Sequence, residues 1–340
     1  MMTPSGGVRA GLNLTLQYAP TESAPAVLAG HLRMAEAVRD AGWDSVFVAQ
    51  HYLGEKMAHL HPLPLLGLLS SAAGDMRLGA GICLLALQNP VDVAEAYATA
   101  DIMCGGRLVF GAGLGYRDVE YEAFGVSAGR RVERFVRNLE LVSRLWQGET
   151  IDVDLPWCRL DGGRLSTLPV QRPRPPIWLA ANSDQAVRRA AELGDAWLVN
   201  PHAAMSTVTR QMELFRTTRA GAGLPPPVDV PLMREVVCAP DRATATARAR
   251  RHLAGKYAVY RHWGQDNVLP PGDRFDTDLS ELSRDRFLIG NPSDCLLGLR
   301  EWIERIGATE VILRVHWAGA PIEEALQSIE LLSTEVLPYL

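Results

Sequence analysis

The chain has 340 residues, 47% hydrophobic and 21% charged, which is enough apolar material for a large core and a poor match to a disordered chain. A formal net charge of -5 argues against a basic nucleic-acid surface and an anionic-membrane patch, so small molecules are the expected partners. No stretch reaches the roughly 18 apolar residues of a membrane span, and the opening MMTPSGGVRAGLNL lacks the basic and apolar regions of a secretory leader. A soluble, cytoplasmic protein without a membrane or nucleic-acid partner is expected. Cys83, Cys104, Cys158, Cys238 and Cys295 are odd in number, scattered and form no CxxC pair, so they read as free thiols.

In chain order, eight β-rich runs recur: 11–17, 44–50, 76–85, 107–113, 176–182, 195–200, 233–239 and 310–316. Near-continuous apolar strands are what a parallel sheet covered on both faces requires. Helical spacing fills the intervals. In 27–43, Leu28, Leu32, Ala35 and Val38 share a face and Gly42 stands at the stop position. Further helices are predicted at 62–73, 91–104, 129–147, 184–193, 203–220, 241–256, 293–307 and 322–337. This alternation favours one (β/α)8 TIM barrel domain over 1–340, with an open doubly wound sheet as the alternative. Two segments interrupt it. Residues 149–176 read as a hairpin and loop before strand five, and 257–291, with Pro270-Pro271-Gly272, as a long excursion near the site.

Barrel chemistry sits at strand C-termini, so each tip is a candidate. Strand one ends at Gln17 and Tyr18, strand two at Gln50-His51-Tyr52, strand three near Asn89, strand four at GAGLGY (111–116), strand five at Asn182-Ser183, and strand eight at Arg314 and His316. A histidine with a reference pKa near 6.5 can exchange a proton at neutral pH, although a lone histidine after a strand is also a common structural residue. GAGLGY lacks the GxGxxG spacing of a dinucleotide fingerprint; its glycines admit a flat ring or a phosphate, or simply a tight turn. Asn182, Ser183 or Asp184 can cap the following helix, whose free N–H groups suit an anion, and Arg188 and Arg189 read as solvated. His59-Leu60-His61, completed by His316, is the only pattern suggestive of a metal hydrolase. Its place in a loop before Pro62 and the missing carboxylates speak against metal.

Taken together, GWDSVFVAQHY (42–52), RLGAGICLLALQNPVDVAEAYATADIMCGGRLVFGAGLGY (77–116), PIWLAANSDQAVRRAAELGDAW (176–197) and the C-terminal segment from Asn291 resemble the luciferase-like flavin-dependent monooxygenase family over nearly the whole chain. The resemblance implies a (β/α)8 barrel, commonly a homodimer, using reduced FMN or, in some branches, the deazaflavin F420. It matches His51 to the flavin-facing histidine. Gln50 and Tyr52 depart from the Glu and His of the luciferase form, which puts light emission in doubt. It matches Gly81-Ile82 to a pair that often forms a non-proline cis peptide behind the flavin ring, and Gly113-Leu114 to the strand-four tip, where Leu114 replaces a phosphate-binding arginine. It matches Ala181-Asn182-Ser183 to the phosphate-binding turn. The expected activity is oxidation of a small, apolar substrate by reduced FMN and O2, with Gln17, Gln50 and Asn89 shaping the substrate pocket. No NAD(P)H fingerprint is present, so a separate flavin reductase is the expected partner. F420-dependent hydride transfer on the same barrel is the alternative; a non-catalytic flavin-binding barrel is a further one.

Overall fold

A computed structural model describes residues 7–340; the leader reading at residues 1–6 lies outside them. Eight strands form the core: β1 (Arg9–Leu14), β2 (Ser45–Val48), β3 (Arg77–Ala80), β4 (Leu108–Gly113), β5 (Ile177–Ala180), β6 (Ala196–Leu198), β7 (Pro231–Cys238) and β8 (Glu310–Arg314). All are parallel to their neighbours, in the order β6-β5-β4-β3-β2-β1-β8-β7. A parallel bridge between Val199 and Leu232 joins the ends of that order, so the sheet closes and leaves no open edge for a doubly wound alternative.

The barrel interior explains several small residues. Inside it Phe47, Val109, Trp178, Ala196, Leu198, Met233 and Ile312 form a packed layer, with Phe47 and Trp178 stacked at 5.4 Å between ring centroids. A Cβ on Gly79 would lie 2.2 Å from Phe47 Cε1, so β3 yields its volume to that ring. The helices cover the outside. Proline at the first turn starts those at Pro62–Ala72, Pro90–Met103 and Pro292–Ile306, where the missing N–H costs nothing.

The expected strands one and three are each shorter than the sequence suggested. β1 ends at Leu14 because Leu16 adopts φ +59°, and Gln17–Tyr18 then pairs antiparallel with Ala58–His59. β3 stops at Ala80; the Gly81-Ile82 peptide is cis, and Cys83–Leu84 resumes pairing beside Ala112 and Gly113 of β4. The segment 149–176 contains the expected hairpin, Ile151–Leu155 with Cys158–Gly163. The excursion at 257–291 is largely structured. The helix Ala254–His262, the turn Gln265–Val268, the short helix Leu279–Ser283 and the strand Leu288–Gly290 beside β7 occupy it. Aromatic packing orders it, Tyr257 lying 4.9 Å from Phe275 and 4.6 Å from Phe287. All five cysteines are buried free thiols. Among the described residues no helix is long and apolar enough to cross a membrane.

Candidate active site

At the C-terminal mouth of the barrel lies a cavity of about 280 Å³. It is lined by Gln50, His51, Gly81, Ile82, Gly113, Leu114, Ala181, Asn182 and Ser183, all named from the sequence, and by Arg131, Arg189, Asn200, His202, Met233, Tyr260 and Arg314 among others. Its walls are mainly apolar and its polar groups sit in three places.

The first is His51. Its Nδ1 lies 3.3 Å from Glu120 Oε1, a carboxylate oxygen that also accepts from the Tyr52 N–H at 2.9 Å and from Arg117 at 3.2 Å. Arg117 is in turn fixed over the Trp263 ring, 4.0 Å from its centroid, and by the Tyr52 and Leu53 carbonyls. Burial alone would raise the Glu120 carboxyl, but His51, the Tyr52 N–H and Arg117 outweigh it and hold the group below its ordinary range. A carboxylate held on Nδ1 favours the tautomer with its proton there and leaves Nε2 for a ligand. Glu120 escaped the sequence reading: it lies in the short helix Asp118–Ala123 with nothing local to mark it, apart from the i, i+3 pairing with Arg117.

The second is the anion end. Ser183 caps the helix Asp184–Leu193, accepting from the Ala186 N–H at 3.3 Å. The remaining first-turn N–H groups point outward as such ends do. Asp184 would oppose an anion there, yet Arg210 holds both its oxygens, at 2.6 and 2.8 Å, and drives its carboxyl down to about 2. Arg189, read as solvated from the sequence, instead lines the cavity, half-buried, and burial lowers its pKa. It lies one helical turn beyond Gln185 and Ala186, which line the same cavity. Arg131 joins it from the start of Arg131–Trp146.

The third is the floor, where Tyr260, His202 and Arg314 meet the cavity. Burial, then the nearby Arg314, Lys256 and Arg234 cations, push the His202 ring well below its ordinary pKa, so it is neutral.

Two expected pocket residues lie elsewhere. Gln17 is fully buried behind the lining, its amide donating to the Tyr260 hydroxyl at 2.6 Å. Asn89 caps Pro90–Met103 through the Val91 N–H at 2.9 Å and faces a separate surface groove beside Trp157. Both were assigned from strand-end position alone, and both strands end earlier than expected. Gln50 lines the cavity and also ties strand tips together, accepting from the Leu84 N–H at 2.8 Å. His59 packs on His51 at 5.2 Å and burial takes its pKa down to about 2, while His316 packs on His31. No group of three or more His, Cys, Asp or Glu side chains placed to share an ion occurs among the described residues.

The residues fit a flat ring with an anionic tail. Ile82 lines the cavity from the Gly81-Ile82 turn, and a Cβ on Gly113 would come within 2.1 Å of its Cδ1, so Gly113 leaves room for the Ile82 side chain against which a ring could lie.

Comparison with known proteins identifies the family and the fold. The family model for luciferase-like monooxygenases matches residues 8–310. A monooxygenase from Streptomyces bottropensis superposes with a TM-score of 0.84 at 22% identity, covering 97% of this chain and 99% of that one. The FMN-bound oxygenating constituent of 3,6-diketocamphane monooxygenase from Pseudomonas putida, a type II Baeyer-Villiger enzyme, gives 0.81 at 19% identity over 98% and 99%. An F420-dependent secondary alcohol dehydrogenase in complex with an F420-acetone adduct gives 0.79 at 16% identity, again over 98% and 99%. At these identities the superpositions establish a shared fold, and the family match carries the assignment: the chain belongs to the luciferase-like monooxygenase family, a family of oxidoreductases.

Proposed function

We propose that the protein is a monooxygenase that uses reduced FMN and O2 to oxidise a small, mainly apolar organic substrate. The observation that carries this reading is the pairing, within one cavity, of a ring seat at Gly81-Ile82 and Gly113 with an anion end at Asn182-Ser183, Arg131 and Arg189. The helix N-terminus and the two guanidiniums would hold the phosphate, and Ile82 and Leu114 would flank the ring. When bound, reduced flavin supplies the electrons that activate O2 for transfer of one oxygen atom to the substrate.

The chain's own groups do the rest. Ile82, Leu84, Leu198 and Met233 keep water from the reacting face. His51 exchanges a proton at Nε2 with the substrate or oxygen-derived group, while Glu120 fixes its orientation and stabilises the charged ring. A separate reductase supplies the reduced flavin in this reading, and the protein works as a homodimer. Leu68, Ile102 and Met103, exposed on Pro62–Ala72 and Pro90–Met103, provide apolar surface for such contact, which sedimentation would detect.

The His51–Glu120 pair also favours a second reading, hydride transfer between a secondary alcohol and F420, since such a pair can accept the hydroxyl proton as the hydride leaves. Oxygen-electrode assays with a substrate panel separate the two. Substrate-dependent oxygen uptake with enzymatically reduced FMN supports the monooxygenase; turnover with F420 and no oxygen uptake supports the dehydrogenase.

A further inference from the structure

The cavity floor holds more buried positive charge than the surrounding protein neutralises. Arg314, at the end of β8, is 6% exposed and lines the cavity. Its Nε donates to Asn13 Oδ1 at 2.8 Å, and one terminal nitrogen reaches Glu235 Oε1 at 3.4 Å. Glu235 is also the salt-bridge partner of Lys256, at 2.6 Å, and further accepts from the Trp317 indole at 2.8 Å and the Tyr257 hydroxyl at 3.4 Å. Two cations therefore share one carboxylate that is already fully engaged. Burial brings the Lys256 ammonium down to about 8, with Glu235 opposing that fall, so it remains largely charged at neutral pH.

Arg314's second terminal nitrogen has no acceptor among the described residues, and the side chain lines the cavity. A buried cation that shares its one carboxylate with a second cation is costly unless a ligand completes it. The flavin phosphate is not that ligand in the reading above, because Arg189 and the helix N-terminus follow β5, three strands around the closed barrel from β8.

We propose that Arg314 binds a carboxylate on the substrate, so the enzyme acts on small carboxylic acids with an apolar body. The proposal rests on the flavin reading for the rest of the cavity. It identifies Arg314 as a specificity residue: its planar fork suits a carboxylate, while the aliphatic lining from Ile82, Leu198 and Met233 suits the remainder.

The test uses the full chain saturated with FMN, with benzoate as the anionic probe and benzamide as its neutral counterpart, both followed by calorimetry. The wild type should bind benzoate at least about tenfold more tightly than benzamide, and Arg314→Met should abolish that preference. Equal affinities, no benzoate binding, or a preference that survives Arg314→Met would each overturn the proposal. If Arg314→Met does not fold, the wild-type comparison decides, with Arg314→Lys, which loses the planar fork, expected to reduce the preference about threefold and an unchanged preference counting against it. FMN binding is measured first: its absence in the wild type strikes the flavin reading. Loss of FMN binding in Arg314→Met, together with no benzoate preference, assigns the guanidinium to the flavin and overturns the proposal alone.

Discussion

His51 sits where a strand tip should place a proton-transfer group, but its chemistry depends on a residue that the surrounding sequence does not advertise. Glu120 lies 69 positions away, and only the closure of the barrel brings its carboxylate to Nδ1. His51→Ala should lower turnover about a hundredfold while leaving flavin affinity nearly intact, as measured by steady-state rates beside flavin fluorescence titration. Unchanged turnover would remove His51 from the mechanism. Glu120→Gln keeps the shape yet loses the charge that stabilises the imidazolium, so its rate should fall about tenfold, with a smaller effect on substrate KM. Local pattern therefore pointed to the histidine and not to its partner, because one of three acids in the short helix Asp118–Ala123 reads the same whether it is solvated or buried.

At the scale of elements, strand and helix alternation was legible throughout, and the hairpin before β5 was too. The breaks at Leu16 and Gly81 were not, since long-range pairing decides where a strand stops: Gln17–Tyr18 leaves β1 to meet Ala58–His59. The same limit misplaced Gln17 and Asn89 as pocket residues. Arg189 was misread for a different reason, because helical spacing states which face it occupies but not what covers that face. If the helix Asp184–Leu193 holds the flavin phosphate, Arg189→Ala should weaken FMN binding about tenfold, more so at low salt than at high salt. A salt-independent affinity identical to wild type would contradict that role. β4 carries a sharper packing constraint. A Cβ on Gly111 would stand 1.9 Å from the Ala80 carbonyl oxygen, a backbone atom that cannot swing aside. Gly111→Ala should cost roughly 2 kcal/mol or more of stability in urea unfolding, and no measurable loss would mean β3 and β4 are less closely packed than described.

For the molecule as a whole, histidines buried in their neutral form, His31, His59 and His202 among them, couple folding to pH. Burial, then the neighbouring His316, brings His31 to about 3; burial, then the His51 charge, brings His59 to about 2. In the unfolded chain both titrate near 6.5, so between these values the unfolded state binds more protons and stability rises with pH. Their contribution is complete above about pH 6.5 and is lost as the solution is acidified, by at most about 1.4 kcal/mol per pH unit for each group. Thermal unfolding should therefore shift to lower temperature from pH 6.5 to 5, and His31→Gln should flatten the slope. A Tm that is flat over that range would show that the rings are not held neutral.

The proposed function requires the barrel mouth to bind reduced flavin. Anaerobic titration of the purified chain with FMN, reduced FMN and F420, followed by admission of oxygen, tests it directly. Saturable binding of reduced FMN is expected and, once oxygen enters, re-oxidation kinetics that differ from those of the free flavin. Binding of none of the three would contradict it, whereas exclusive binding of F420 would move the assignment to hydride transfer on the same fold.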